Sequence, residues 1–197
     1  MAILVEHDKR KQEILEKALD VFINEGYEDV TFQKIADRCG ITRTTLYIYF
    51  NNKREIFLWS IKQMLSNMEI EFKEIQNDAS LSAQKMLRKI CSRLIEHCNE
   101  NKKLFNVLLA YFMQLKKTGV DPKERIRRRV VKLRHLLTSI IIRGIQNNEF
   151  KDCNVHEMNE LLYGIFEAAI FRLTVLNQDD CTETQKMIDL AIDGFLA

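Results

Sequence analysis

Thr31-Phe32-Gln33-Lys34-Ile35-Ala36-Asp37-Arg38-Cys39-Gly40-Ile41-Thr42-Arg43-Thr44-Thr45-Leu46-Tyr47-Ile48-Tyr49-Phe50-Asn51-Asn52-Lys53 is the stretch whose reading decides the fold. Thr31 is a good N-cap for a short helix of about 31–38, because its hydroxyl can accept from an early helical N–H. Gly40 permits a tight turn, and Thr42 caps a second short helix of about 42–50. Two short helices joined by a glycine-containing turn are the signature of a helix-turn-helix. In that unit the second helix lies in the major groove with its N-terminal residues facing base edges. Here those residues are Arg43 and Thr44. Arginine reads guanine through a bidentate bond, and a threonine methyl can touch a thymine methyl. Tyr47 and Tyr49 can donate to phosphate while their rings pack. Lys53 opens the next helix, where its charge adds to the backbone N–H groups and the positive dipole end. Ile35, Ala36, Ile41, Leu46 and Phe50 are better read as the small core that fixes the two helices.

Charge placement agrees with this reading. From Thr31 to Arg54 the basic residues are Lys34, Arg38, Arg43, Lys53 and Arg54, against Asp37 as the one acid. The whole-chain balance, 30 basic and 28 acidic residues for a net +2, says nothing by itself, since nucleic-acid binding depends on where charge sits. Lys9, Arg10 and Lys11 cluster near the start, and read either as a flexible arm on the DNA backbone or as plain solvated charge.

Outward from this stretch the chain reads as helix throughout. With one proline and six glycines in 197 residues, long helices are expected and a many-stranded sheet is not. Ile14, Leu15, Ala18, Val21 and Phe22 give one apolar face to a first helix of about 8–25, stopped by Gly26. A long helix of about 52–75 follows the helix-turn-helix. Ser80 can cap a helix of about 81–98, and Asn99 or Asn101 one of about 101–117. Asp121 before Pro122 starts a helix running to about 147, with Ile126, Val130, Leu133, Leu137, Ile140, Ile141 and Gly144 as its stripe. Asn154 with Glu157 forms a capping box for about 155–177, and a last helix spans about 183–196. The fold class is therefore all-α, with about nine helices. Residues 1–54 are expected to form a three-helix DNA-binding domain and residues 55–197 a helical ligand-binding and dimerisation domain.

The other reactive residues point to structure more than to chemistry. The odd set Cys39, Cys91, Cys98, Cys153 and Cys181 has no CxxC pair and reads as reduced thiols. Cys153 and His156 are one weak pair where a closed zinc site needs four ligands, so no metal is expected. His97, Cys98 and Cys91 lack an identifiable orienting group for nucleophilic catalysis. Arg125, Arg127, Arg128, Arg129, Lys132 and Arg134 resemble a nucleic-acid patch but read more simply as a solvated helix face. No glycine-rich phosphate loop, nucleophile elbow or HExxH is present, and neither an enzyme nor a cofactor is expected. The apolar opening Met1-Ala2-Ile3-Leu4-Val5 is too short for a signal or a span, so no membrane partner and a cytoplasmic location are expected. Trp59, Met64, Met68, Phe105, Leu109, Tyr111 and Phe112 are core-like residues of the kind that also line pockets between bundle helices, with Tyr163 and Glu167 as possible polar groups.

Residues 12–58 resemble the DNA-binding domain of the tetracycline-repressor (TetR) family. The match is carried by Ile14-Leu15, Ala18, Phe22, Gly26-Tyr27, Thr31, Ile35-Ala36, Gly40-Ile41, Thr45-Leu46-Tyr47, Tyr49-Phe50 and Lys53. It departs at Thr44, where many relatives carry glycine or another small residue. The resemblance implies an all-helical homodimer whose C-terminal domain binds a small effector that relieves repression at a palindromic double-stranded operator. It places Thr42, Tyr49, Lys53 and also Thr31 near phosphates, Arg43, Thr44 and Tyr47 at bases or the adjoining backbone, and Gln33 as a lesser base contact. Apolar lining implies a largely apolar effector. The alternative left open is a ligand-independent DNA-binding module that recruits protein partners through its C-terminal helices. Leu161, Leu162, Ile165, Phe166, Ala169, Ile170 and Leu173, with Met187, Ile188, Ala191, Ile192 and Phe195, form the face expected to pair in the dimer, and Gly164 and Ala168 allow close approach.

Overall fold

The computed structural model describes residues 2–121 and 123–197, with side chains described at 6–121 and 131–197. The described residues form nine helices: α1 (Ala2–Asp29), α2 (Phe32–Cys39), α3 (Arg43–Tyr49), α4 (Lys53–Asn77), α5 (Ala83–Glu100), α6 (Lys102–Lys117), α7 (Lys123–Gln146), α8 (Val155–Thr174) and α9 (Thr182–Asp193). The one β-type pairing among them is an isolated antiparallel bridge between Phe150 and Leu196. Met1–Val5, Pro122, Arg125, Ile126, Arg127, Arg128, Arg129 and Val130, all singled out in the sequence, lie outside the described side chains.

The chain divides into two units. The first is Met1–Glu71 with Val107–Tyr111, and the second is Phe72–Asn106 with Phe112–Ala197, so α4 and α6 contribute to both. In the first unit Ile14, Leu15, Ala18, Val21 and Phe22 are buried as their spacing predicts. The helical path breaks at Gly26 (φ 81°, ψ 160°), a conformation open to glycine and strained for other residues. Ser60 of α4 donates to the Leu15 carbonyl at 2.8 Å, a buried polar pin between α4 and α1.

In the second unit α5 is the central helix. It buries Met86, Leu87, Ile90, Cys91, Leu94, Ile95 and Cys98 and packs against α7, α8 and α9. Removing a side chain such as Leu87 would cost about 2–5 kcal/mol. Arg88 of α5 pairs with Asp189 and Asp193 of α9, and Lys102 pairs with Asp179 ahead of α9. Glu149, in the loop before α8, accepts from the backbone N–H of Gln84 at 2.9 Å and so caps the open N-terminus of α5. Burial alone would raise this carboxyl, but hydrogen bonds from Gln84, Ala83, Asn147 and Ser82 outweigh it and hold the group below its ordinary value. A Cβ on Gly144 would collide with the buried Phe150 ring, so this glycine is required by close approach.

Three local expectations are corrected. The cap of α5 is Ser82, which accepts from Lys85 N–H, whereas Ser80 donates its hydroxyl and N–H to Asp78 in a preceding turn. Asn101 precedes α6 but makes no side-chain cap, because its amide nitrogen donates back to the His97 carbonyl. Asn154 does cap α8, while Glu157 meets the Asn154 side-chain amide in place of its backbone N–H, leaving the box half closed.

The larger correction concerns the face expected to pair between copies. Leu162, Ile165, Phe166, Ala169 and Leu173 of α8 and Ile188 and Ile192 of α9 are buried within their own chain. Helix α8 lies against α5, α7 and α9, so its inner face is already occupied. A second stripe one step around, Leu161, Gly164, Ala168, Phe171 and Val175, is exposed, as are Met187 and Leu190 of α9.

Candidate nucleic-acid interface

The two caps and the turn between them set the interface. Thr31 Oγ1 accepts from Lys34 N–H at 3.2 Å, and Thr42 Oγ1 accepts from Thr45 N–H at 3.0 Å. Gly40 takes the left-handed conformation (φ 68°, ψ 33°), and the N–H of Ile41 returns to the Ala36 carbonyl. This turn aims α3 away from α2 while Phe32, Ile35, Ala36, Cys39, Leu46 and Phe50 close the core beneath.

With Leu46 inward, α3 presents Arg43, Thr44, Tyr47 and Ile48 to solvent. The Arg43 guanidinium donates to the Tyr47 hydroxyl at 3.2 Å and lies 5.7 Å from its ring centroid. The Tyr47 ring in turn stacks on Phe32 at 4.5 Å. Arginine and tyrosine thus form one braced pair at the leading end of the helix. Gln33 donates to Asp37 at 2.7 Å on the exposed face of α2. Ile48, at 70% exposure, has no inward role, and the sequence reading passed over it. Its signal was available: Leu46 and Phe50 already fill the inner positions, which leaves an isoleucine facing out of a short helix.

Four residues, Lys53, Arg10, Lys11 and His7, lie where the sequence alone did not place them. The Lys53 ammonium donates to the carbonyls of Tyr27 and Glu28, at 2.8 and 2.9 Å, and sits 4.7 Å from the Tyr27 ring centroid. It fastens the end of α1 just past the helix kink at Gly26, with two of its three donors engaged. The basic cluster near the start is helical and divided: Arg10 pairs with Glu13, and the Lys11 ammonium lies over Phe50 and Trp59, at 5.2 and 4.9 Å. One turn earlier, His7 stacks on Tyr49 with ring centroids 4.6 Å apart and planes inclined by 24°.

The expected effector residues separate. Trp59 stands in the first unit between Lys11 and Lys62. Tyr111 is buried there edge-on to Tyr27 and Phe57, at 4.6 and 5.1 Å, and Arg54 hydrogen-bonds its hydroxyl. Burial and the neighbouring Tyr111 push the Tyr27 phenol up to about 12. Met64, Met68 and the exposed Leu109 also belong to the first unit, whereas Phe105, Phe112, Tyr163 and Glu167 belong to the second. Tyr163 is half-buried beneath the Arg134 guanidinium, 4.3 Å from its ring centroid, and Arg134 pairs with Glu160. Glu167 is exposed. Among the described residues no three His, Cys, Asp or Glu side chains gather as a metal site, and no helix is long and apolar enough to cross a membrane. Burial raises the Cys91 thiol and pushes Cys98 up to about 12, which leaves both poor nucleophiles.

Residues 14–58 match the family model for bacterial regulatory proteins of the tetR family. Over those residues the chain is similar to the amino-terminal, DNA-binding domain of that family. The chain is a DNA-binding transcriptional regulator, and the matched residues run from the core of α1 through α2 and α3 into the start of α4. It is 22% identical to the fatty acid metabolism regulator protein of Bacillus subtilis over 189 residues, covering 92% of this chain and 93% of that one. It is 30% identical to the helix-turn-helix-type regulator SAB2452 of Staphylococcus aureus over 121 residues, covering 56% of this chain and 64% of that one. Among solved structures, a TetR transcription regulator from Haloarcula marismortui superposes with TM-score 0.85 at 20% identity, covering 96% of this chain and all of that one (100%). FadR from Bacillus subtilis in complex with stearoyl-CoA superposes with TM-score 0.71 at 20% identity, covering 93% and 98%.

Proposed function

We propose that this TetR-family regulator is a homodimeric repressor, released from a palindromic operator by a long-chain acyl ligand of the fatty acyl-coenzyme A class. The observation that carries the ligand class is the likeness along nearly the full chain, 92% of it, to a fatty acid metabolism regulator. The Bacillus subtilis regulator of similar fold that holds stearoyl-CoA supports the same reading. An acyl chain also agrees with the largely apolar effector expected from Phe105 and Phe112 of the second unit. The site of action is the cytoplasm, where operator DNA and acyl thioesters meet.

In this reading residues 1–54 read DNA and residues 55–197 hold the effector and the partner copy. Arg43, braced by Tyr47, reads a base edge, and Thr44 and the exposed Ile48 lie against thymine methyls or sugar. Thr31, Thr42 and Tyr49 hold phosphates, Gln33 lies at the groove edge, and Lys53 turns its third N–H to a phosphate. Phe105, Phe112, Tyr163 and Glu167 are the candidate effector residues of the second unit. Helix α4, shared by both units, transmits the effector's preference for one state. A 100-fold preference is worth about 2.7 kcal/mol, enough to change operator occupancy. The exposed stripe on α8 with Met187 and Leu190 of α9 pairs across the two-fold axis.

The test is thermal denaturation of the purified protein with octanoyl- to stearoyl-coenzyme A, alongside binding to a duplex it selects from a random-sequence pool. Stabilisation that grows with acyl length, together with release of the duplex, is expected. No shift with any acyl thioester would remove the ligand class and leave the DNA-binding regulator standing.

A further inference from the structure

We propose that the first turns of α1 belong to the DNA-binding surface, with His7 as a phosphate-contacting residue that also positions Tyr49. This rests on the placement of Tyr49 at the DNA backbone. His7 and Lys11 are spaced i,i+4 and lie on the continuation of the face that buries Ile14, Leu15 and Ala18. On that face Lys11 covers Phe50 and Trp59, and His7 covers Tyr49. The amino-terminal turns are therefore folded against the exit of the recognition helix and do not wave freely. The imidazole lies nearly parallel to the Tyr49 ring, inclined by 24° with centroids 4.6 Å apart, so the two rings form one stacked unit. A phosphate held by the phenol hydroxyl then lies beside the imidazole, whose N–H is the donor offered to it. His7 is exposed, and its imidazole carries an N–H donor. Stacking also confines Tyr49, which lowers the entropy lost when its hydroxyl is fixed on DNA.

The experiment uses the full-length protein and a duplex selected by it from a random pool, in native form and with single phosphates replaced one by one by neutral methylphosphonates. His7→Ala, His7→Phe, Tyr49→Phe and Arg43→Ala are compared with the original protein, each checked for an unchanged thermal melt. His7→Ala is expected to weaken binding about tenfold, as for one lost hydrogen bond to a charged acceptor. His7→Phe keeps the stack and recovers part of the loss. In the original protein a methylphosphonate at the phosphate shared by His7 and Tyr49 should weaken binding, and both His7 variants should lose less to that substitution, retaining the part due to Tyr49, while the sensitivity at the other phosphates is unchanged. If His7→Ala binds as the original does, or if His7→Phe recovers everything with the phosphate profile unchanged, the contact is overturned while the DNA-binding reading survives. If Tyr49→Phe and Arg43→Ala are both without effect, the docking of α3 fails instead, and the His7 contact falls with it.

Discussion

The head built from α1 to α3 and the C-terminal helices α5 to α9 are made of the same kind of helix, yet they differ in how they are specified. In the head, single residues act locally. Thr31 and Thr42 each satisfy an N–H three residues on, and Gly40 takes a positive φ that sets the turn. In the C-terminal unit, the decisive property is which face of a long helix meets which neighbour. Helix α8 has two apolar faces, Met158-Leu162-Phe166-Ala169-Leu173 inward and Leu161-Gly164-Ala168-Phe171-Val175 outward. In the head the local signals hold because their partners lie within four residues. On α8 the spacing could not tell the two apolar faces apart, because their partners lie far along the chain.

The sharpest way to break the contrast is on α8 and α9. Phe171→Glu together with Leu190→Glu leaves the buried face intact and charges the outer stripe. The double variant should be monomeric by light scattering at micromolar concentration. It should lose about 100-fold or more in affinity for a palindromic duplex, as one head loses the other's effective concentration. A dimer that persists would mean that the outer stripe is not the pairing face.

The next effect is in the head. Arg43→Ala should cost about 1–3 kcal/mol in DNA binding and relax sequence preference at one position per half-site, measured by competition among selected duplexes. Unchanged preference would remove α3 as the reader.

Third, Glu149→Ala should lower stability by about 1 kcal/mol, as for a lost helix cap, measured by denaturant unfolding at pH 7. The folded-state pKa of Glu149 is depressed, so its contribution is present above the ordinary carboxylate range and is lost as pH falls through the lower folded value. The gap between variant and original should therefore close in acid. A gap that is constant with pH would mean that the side chain acts by packing. The smallest effect belongs to Ile48→Ala, about three- to fourfold in DNA affinity for the apolar contact removed, with no change in the melt.

The sequence made the head legible almost residue by residue: both caps, the Gly26 stop and the inward set Ile35, Ala36, Leu46 and Phe50 are where their local chemistry puts them. It could not show that Lys53 folds back onto the Tyr27 and Glu28 carbonyls, since these lie 26 and 25 residues away. Nor could it show His7 on Tyr49, because a stack between distant segments leaves no periodic trace. Tyr111 looked like a pocket residue, but α6 inserts it into the aromatic cluster of the head, a placement set by the fold and not by its neighbours in sequence. Ser80 and Ser82 were equally good caps by residue type, and Asp78 decided between them by engaging Ser80.

The most direct test of the account is reciprocity between the two regions. The affinity of stearoyl-coenzyme A would be measured by titration calorimetry on the free dimer and on the dimer saturated with its selected duplex. The duplex affinity would be measured with and without the acyl thioester. A ligand-released repressor requires the duplex to weaken acyl binding by the same factor by which the acyl thioester weakens duplex binding, about 100-fold for a coupling of about 2.7 kcal/mol. Equal acyl affinities with and without duplex would contradict it, leaving a DNA-binding regulator whose C-terminal helices do not control its head.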